Sequence, residues 1–96
     1  MREQFNAQLK EAMKAGDKRR VATIRMITAA LKDRDIEARG AGKSVSDDDI
    51  LALLQKMVKS RQESADIYEK AGRQDLSTQE REEIAIISEF LPKQLS

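Results

Sequence analysis

Side chains that could carry out catalysis are scarce in this sequence. It contains no histidine and no cysteine, which excludes a Ser-His-Asp triad, a histidine general base and a thiolate or imidazole zinc site. Seven serines, three threonines and one tyrosine remain as nucleophiles, and no motif places an activating base beside any of them. The residues therefore predict a binding or interaction module, with no catalytic residue, no cofactor and no metal.

Two short motifs resemble ligand sites but lack essential parts. Gly40–Ser44 looks like the end of a phosphate-binding P-loop, yet the first glycine of that motif is replaced by Glu37, inside a predicted helix. Asp47–Asp49 are consecutive acids, whereas calcium loops place carboxylates at alternate positions around a turn glycine. We predict a helix–helix loop for the first motif and a negatively charged helix N-terminus for the second.

A basic cluster is the strongest candidate for a ligand surface. It lies at the predicted corner between helices one and two and continues along helix two, and its members are Lys14, Lys18, Arg19, Arg20, Arg25 and Lys32. Lysine and arginine side chains in such a cluster can contact nucleic-acid phosphates. No aromatic residue is interleaved for base stacking, so sequence-specific readout of a single strand is not expected. A solvated helix face is the other interpretation, and from the residues alone it is the one we favour.

Charge is distributed unevenly along the chain. Residues 1–45 carry a net charge of +5 and residues 46–96 a net charge of −4, although the total is only +1. The basic half can meet nucleic acid or an acidic partner, or it can pair with the acidic half of the same chain. We favour the internal pairing.

Two arginines lie in or beside apolar stripes of the predicted helices. Arg25 and Arg61 can each form a partly buried ion pair with a carboxylate of a facing helix, such as Asp66 or Glu83. The alternative is a side chain that buries only its aliphatic part and keeps the guanidinium in water.

The hydrophobic spacing predicts an all-α, four-helix domain. The helices are expected at about residues 2–15, 18–38, 47–71 and 76–91, with helix three in the central position. Gly16 and Gly72 are expected to end helices one and three, Asp17 and Ser46 to cap helices two and three, and Ser77 to form a capping box with Glu80. The predicted core is apolar at helical spacing: Phe5, Leu9, Ala12, Met13, Val21, Ile24, Ile27, Leu31, Ile36, Ile50, Leu51, Leu53, Leu54, Met57, Val58, Ala65, Tyr68, Ile84, Ile86, Ile87, Phe90 and Leu91.

Three stretches together resemble the YqeY-like family, which is related to the C-terminal tail of the B subunit of glutamyl-tRNA(Gln) amidotransferase. They are residues 20–32, residues 61–73 together with Asp75 and Leu76, and residues 83–96. The resemblance implies an all-helical fold and contact with tRNA. It also implies an association with carbon–nitrogen ligase activity that uses glutamine as amide donor, but no catalytic part of the amidotransferase is recognisable here.

The resemblance also shapes the expected domain organisation. Family members continue past the Leu-Pro-x-Gln-Leu-Ser stretch into a second, smaller helical subdomain. We therefore expect residues 1–92 to form the helical domain, and residues 93–96 to begin a linker to a C-terminal subdomain that is missing here.

The expected function is that of a non-catalytic accessory module that contacts tRNA or a translation-related protein. The alternative is a protein-interaction or oligomerisation module, anchored by exposed apolar residues of helix three and by the surface of helix four. No apolar run reaches transmembrane length and no signal peptide is visible, so we expect a cytoplasmic protein with no membrane contact.

Overall fold

Four α-helices make up the computed structural model, which describes residues 1–92. They are α1 (Arg2–Ala15), α2 (Lys18–Gly40), α3 (Asp47–Lys70) and α4 (Gln74–Ser88). No strand occurs in these residues. The prediction of an all-α, four-helix domain is confirmed, whereas the expected linker at residues 93–96 lies outside the described residues.

The predicted caps of the first three helices are confirmed by their hydrogen bonds, whereas α2 continues through Gly40, two residues beyond its predicted end. Gly16 takes the left-handed conformation with φ of 71°, and Asp17 accepts a bond from the Arg20 backbone N–H at 3.1 Å. Ser46 and Asp49 form a reciprocal capping box, with bonds of 3.1 and 3.0 Å. Each cap satisfies N–H groups that have no partner within the helix.

The predicted capping box at the start of α4 is wrong. The α3 helix ends in a Schellman motif in which the Arg73 N–H donates to the Tyr68 carbonyl at 2.8 Å and Gly72 has φ of 75°. This motif turns the chain within two residues, so α4 begins at Gln74, before Ser77 is reached. Ser77 is then an interior helical residue whose N–H donates to the Arg73 carbonyl at 3.0 Å.

Helix α2, not α3, touches all of the other helices. Among residues 1–92, α2 packs against α1, α3 and α4, whereas α3 packs mainly against α4. The α3–α4 pair is an antiparallel hairpin, since the ion pairs Glu69–Arg81 and Arg61–Glu83 run in opposite order along the two helices. The expectation of a central α3 is therefore wrong, because α3 packs against α4 and α2 but, within residues 1–92, not against α1.

The core lies where α2, α3 and α4 meet, and α1 closes it from one side. Its buried apolar side chains are Phe5, Ile24, Ile27, Leu31, Ile50, Leu53, Leu54, Ile87 and Phe90. Phe5 and Phe90 meet edge-to-face with ring centroids 4.9 Å apart, which joins α1 to the turn after α4.

Two residues of the predicted core are on the surface. Met13 is 54% exposed and Ile36 is 59% exposed. Ile36 follows Ile27 by nine residues, which is about half a turn around the helix axis. Its side chain therefore lies opposite the buried face of α2, and the prediction of Ile36 as a core residue is wrong.

Candidate nucleic-acid interface

The solvent-facing side of α2 carries four cations at equal spacing. Lys18, Arg25, Lys32 and Arg39 follow each other at intervals of seven residues, and all four are exposed. Seven residues correspond to about 10.5 Å along an α-helix and fall about 20° short of two full turns. The four residues, which we call the outer row, therefore stay on one side of α2 over about 31 Å.

None of the four outer-row side chains forms an ion pair within residues 1–92. Nearby carboxylates compensate this charge in part. Asp35 points to the α1 side, where Arg2 holds both of its oxygens at 2.9 and 2.7 Å. This hydrogen-bonded pair lowers the pKa of Asp35, and the charge of Arg39 also acts on this carboxylate and helps to lower its pKa. Asp33 is exposed and adjoins Lys32 in sequence.

Small side chains separate the cations of the outer row. Ala22 and Ala29 are exposed on the same side of α2, and Ile36 continues this line. Beside the two alanines a ligand can approach the helix backbone closely, whereas between Lys32 and Arg39 it meets the 59% exposed side chain of Ile36. The four cations themselves are exposed along the whole row.

The predicted basic cluster is divided by the fold. Lys18, Arg25 and Lys32 lie in the outer row, and Lys14 is exposed in the last turn of α1. Arg19 and Arg20 point instead toward α4. Arg39 was not among the predicted site residues, although the seven-residue spacing from Lys18 was a signal that could have identified it.

Arg19 and Arg20 pair with acidic residues of α4 and the turn that follows it. Arg19 Nε lies 3.2 Å from Glu82. Arg20 forms an ion pair with Glu89 and also donates to the Gln8 side chain of α1 at 2.9 Å. These contacts are the internal pairing of basic and acidic halves that the charge asymmetry suggested. The guanidinium charges of Arg19 and Arg20 are thus partly neutralised by carboxylates of the same chain.

A buried ion pair joins α3 to α4. Arg61 Nε donates to Glu83 Oε1 at 2.9 Å, and Gln79 donates to the other carboxylate oxygen at 3.1 Å. The Arg61 and Glu83 side chains are only 17% and 6% exposed. The hypothesis of a partly buried arginine pair is confirmed for Arg61, whereas Arg25 is exposed and has no such partner within residues 1–92.

Glu80 lies close to this pair and is influenced by it. Burial raises the pKa of Glu80, and the negative charge of Glu83 raises it further. The positive charge of Arg61 acts in the opposite direction. Arg61, Glu83 and Glu80 therefore form a group of three interacting charges between α3 and α4.

The Gly40–Ser44 segment terminates α2. Gly42 takes φ of 71°, and the Lys43 N–H donates to the Ala38 carbonyl at 2.7 Å, which is a second Schellman motif. Gly42 and Lys43 of the P-loop-like sequence therefore form the C-terminal cap of α2. Asp47–Asp49 occupy the first turn of α3, as predicted.

The apolar anchors expected for the protein-interaction alternative are mostly used inside the domain. Ile50, Leu53 and Leu54 of α3 are buried. The large apolar side chains that remain exposed within residues 1–92 are divided among three helices: Met13, Met26, Ile36 and Ile67. Scattered apolar residues of this kind are common on protein surfaces.

Comparison with known proteins identifies the family. A model of the Yqey-like protein family matches residues 2–96. The chain belongs to the YqeY-like family. This confirms the resemblance that the three sequence stretches suggested.

Three proteins of known sequence are similar to most of the chain. One is the "Altered inheritance of mitochondria protein 41, mitochondrial" of Lachancea thermotolerans, which is 35% identical over 86% of this chain and 43% of its own length. Another, of the same name, is from Eremothecium gossypii and is 34% identical over 86% of this chain and 44% of its own length. An uncharacterized protein of Schizosaccharomyces pombe is 29% identical over 92% of this chain and 69% of its own length.

The chain spans less than half the length of the first two relatives. Their names describe those proteins as mitochondrial, so they do not favour the cytoplasmic location predicted from the sequence. In residues 1–92, no helix has the length and apolar character needed to cross a membrane.

Proposed function

We propose that this YqeY-like domain is a non-catalytic module that binds tRNA through its phosphate backbone, with the outer row of α2 as the contact surface. The observation that carries this proposal is the set of four exposed cations at seven-residue spacing, none of them in an ion pair within residues 1–92. Cations that lack an internal partner can release the counterions of a nucleic acid when they bind its phosphates.

The basic cluster contains residues with and without an ion pair in residues 1–92, and we propose those without one as the phosphate contacts. Arg19 and Arg20 already have carboxylate partners on α4 and in the turn after it, so they would have to give up these contacts before binding a phosphate. Binding of a phosphate by the outer row breaks no ion pair within residues 1–92. Lys14, exposed at the end of α1, extends the row beyond Lys18. We propose no catalytic step for this domain, since no motif places an activating base beside any of its serines, threonines or its tyrosine.

The salt dependence of binding gives the expected magnitude. Four phosphate contacts on a duplex-rich RNA correspond to a slope of about −3.6 in log K against log salt, or a loss of about 150-fold between about 50 and 200 mM salt. Replacing Lys18, Arg25 and Lys32 leaves one contact, for which the loss falls to about threefold to fourfold.

The experiment is a tRNA-binding titration by fluorescence anisotropy at both salt concentrations. We expect the triple variant K18A/R25A/K32A to bind bulk tRNA at least about tenfold more weakly than the unmodified chain at low salt. The matched control is K56A/K59A/K70A, which removes the same charge from exposed positions of α3 that form no ion pair within residues 1–92. Equal weakening by both variants, or no binding at the lower salt, would contradict the proposal.

A further inference from the structure

Resting on the proposed function, we infer that the outer row recognises the backbone of a double-stranded stem, not a single strand or a loop. The residues around the row, its rigidity and its spacing support this inference separately. A single strand needs aromatic side chains for base stacking, and a stem offers phosphates at fixed positions; the three features bear on these two requirements.

The chain lacks a stacking platform near the outer row. Proteins that bind single strands combine a basic groove with aromatic side chains on which successive bases stack. The three aromatic residues here are elsewhere: Phe5 and Phe90 pack on each other in the core, and Tyr68 is half-buried on α3. Unpaired bases would find no aromatic surface beside the row.

The outer row also lacks the side chains that read base edges through amide groups. Asparagine and glutamine, which form paired bonds with adenine, are absent from α2 altogether. Thr28 donates its hydroxyl to the Arg25 carbonyl at 3.0 Å, so its donor is used within the helix. Arg25 and Arg39 could in principle pair with guanine, but the deep, narrow major groove of an A-form stem keeps side chains from reading base edges there. Contacts from the outer row to such a stem would therefore go mainly to phosphates, which position a ligand without specifying its sequence.

The rigidity of the row favours a ligand with regularly spaced phosphates. The four residues belong to one continuous helix, Lys18–Gly40, so the distances between their Cα atoms change little on binding. A duplex holds its phosphates in place before binding, whereas a single strand must be ordered along the row at an entropic cost. Along about 31 Å, a duplex presents roughly 18 phosphates on its two strands, so the row can find partners in many registers.

The experiment compares two RNAs of equal length and phosphate number with the 96-residue chain at about 50 mM salt: a hairpin with a continuous stem, and an unstructured oligouridine. We expect the hairpin to bind about tenfold more tightly or better, and to lose about 150-fold in affinity by about 200 mM salt. A second hairpin with a scrambled stem sequence should bind within about twofold of the first.

A charge-relocation variant tests whether the row itself is responsible. R25A/Q62R keeps the net charge but moves one cation from the outer row to an exposed position of α3. It should lose as much affinity for the hairpin as R25A alone, about fivefold to tenfold at low salt.

The outcomes separate this inference from the proposed function. Equal or tighter binding of oligouridine, weakened by the K18A/R25A/K32A variant, would overturn the stem preference and leave nucleic-acid binding intact. A strong preference between the two stem sequences would likewise overturn backbone recognition. Absence of binding to tRNA and to all three RNAs would overturn the proposed function itself.

Discussion

Replacing Arg61 with methionine should destabilise the domain more than any surface charge change of equal size. The substitution leaves the Glu83 carboxylate, 6% exposed, without its closest cation. Breaking a buried ion pair from one side typically costs about 3–5 kcal/mol. Here Gln79 still donates to Glu83 at 3.1 Å, and Arg19 lies 3.9 Å away. We therefore expect a loss at or just below the lower end of that range, about 2–3 kcal/mol.

This loss is large compared with the stability of a small domain. A chain of this size is typically stable by about 5–14 kcal/mol. A loss of about 2–3 kcal/mol corresponds to a decrease in Tm of roughly 8–24 °C. Urea unfolding followed by far-UV circular dichroism measures the free-energy change, and a thermal scan on the same variant measures the change in Tm.

The matched control is Arg81→Met, in which an arginine of the same α3–α4 hairpin loses its ion pairs. Arg81 lies 2.6 Å from Glu69, but its side chain is 51% exposed. Exposed pairs contribute about 0–1 kcal/mol, so we expect little change in stability. If R61M destabilised the domain no more than R81M does, the reasoning from burial would be refuted.

A double variant distinguishes the unpaired charge from lost packing. Glu83→Met alone leaves Arg61 without its carboxylate and should also destabilise the domain. R61M/E83M removes both charges, and replacing a buried pair by apolar side chains is often neutral. We therefore expect the double variant to be more stable than R61M, which would not be the case if lost packing of Arg61 dominated.

Two further predictions concern Glu80 and Ser46. Because burial raises the pKa of Glu80 in the folded state, its ionised form destabilises the fold above that pKa; Glu80→Gln should thus increase stability at pH 7, with the gain disappearing below the ordinary glutamate value of 4.5. Urea unfolding across this pH range tests it, with the exposed Glu63→Gln as control, and an equal gain in both variants would argue against the burial effect. Ser46→Ala removes the acceptor of the Asp49 N–H at 3.1 Å and should cost about 1 kcal/mol. Ser60→Ala, at an exposed interior position of α3, should cost nothing measurable; similar losses in the two serine variants would show that the cap contributes little.

Local signals in the sequence were sufficient to predict most helix boundaries. Glycine in the left-handed conformation and an acidic or hydroxyl cap act within a few residues, so Gly16, Asp17, Ser46 and Gly72 could be assigned without knowledge of the fold. The start of α4 could not, because Ser77 fits a capping box as well as it fits a helix interior. The Schellman motif at the end of α3 decides between these two roles, because it determines that α4 begins at Gln74.

The candidate site was predictable as a set of cations but not as a surface. Which arginine faces α4 depends on the rotation of α2 against its neighbours, and that rotation is set by packing of Ile24 and Ile27. Adjacent positions such as Lys18 and Arg19 therefore have different environments, one solvated and one paired with Glu82. The same dependence explains why Ile36 was assigned to the core and Arg39 was left out of the site.

The contact between Phe5 and Phe90 has a consequence for how the domain assembles. The helix pairs α1–α2 and α3–α4 are each closed by short connections, so their internal contacts join residues near in sequence. Contacts between the pairs join distant residues, as in Arg20 and Glu89, which are 69 positions apart. The entropic cost of loop closure is therefore concentrated in the docking of one helix pair on the other. The edge-to-face rings stabilise the product of that step, since they exist only after docking has brought both ends of the described chain together.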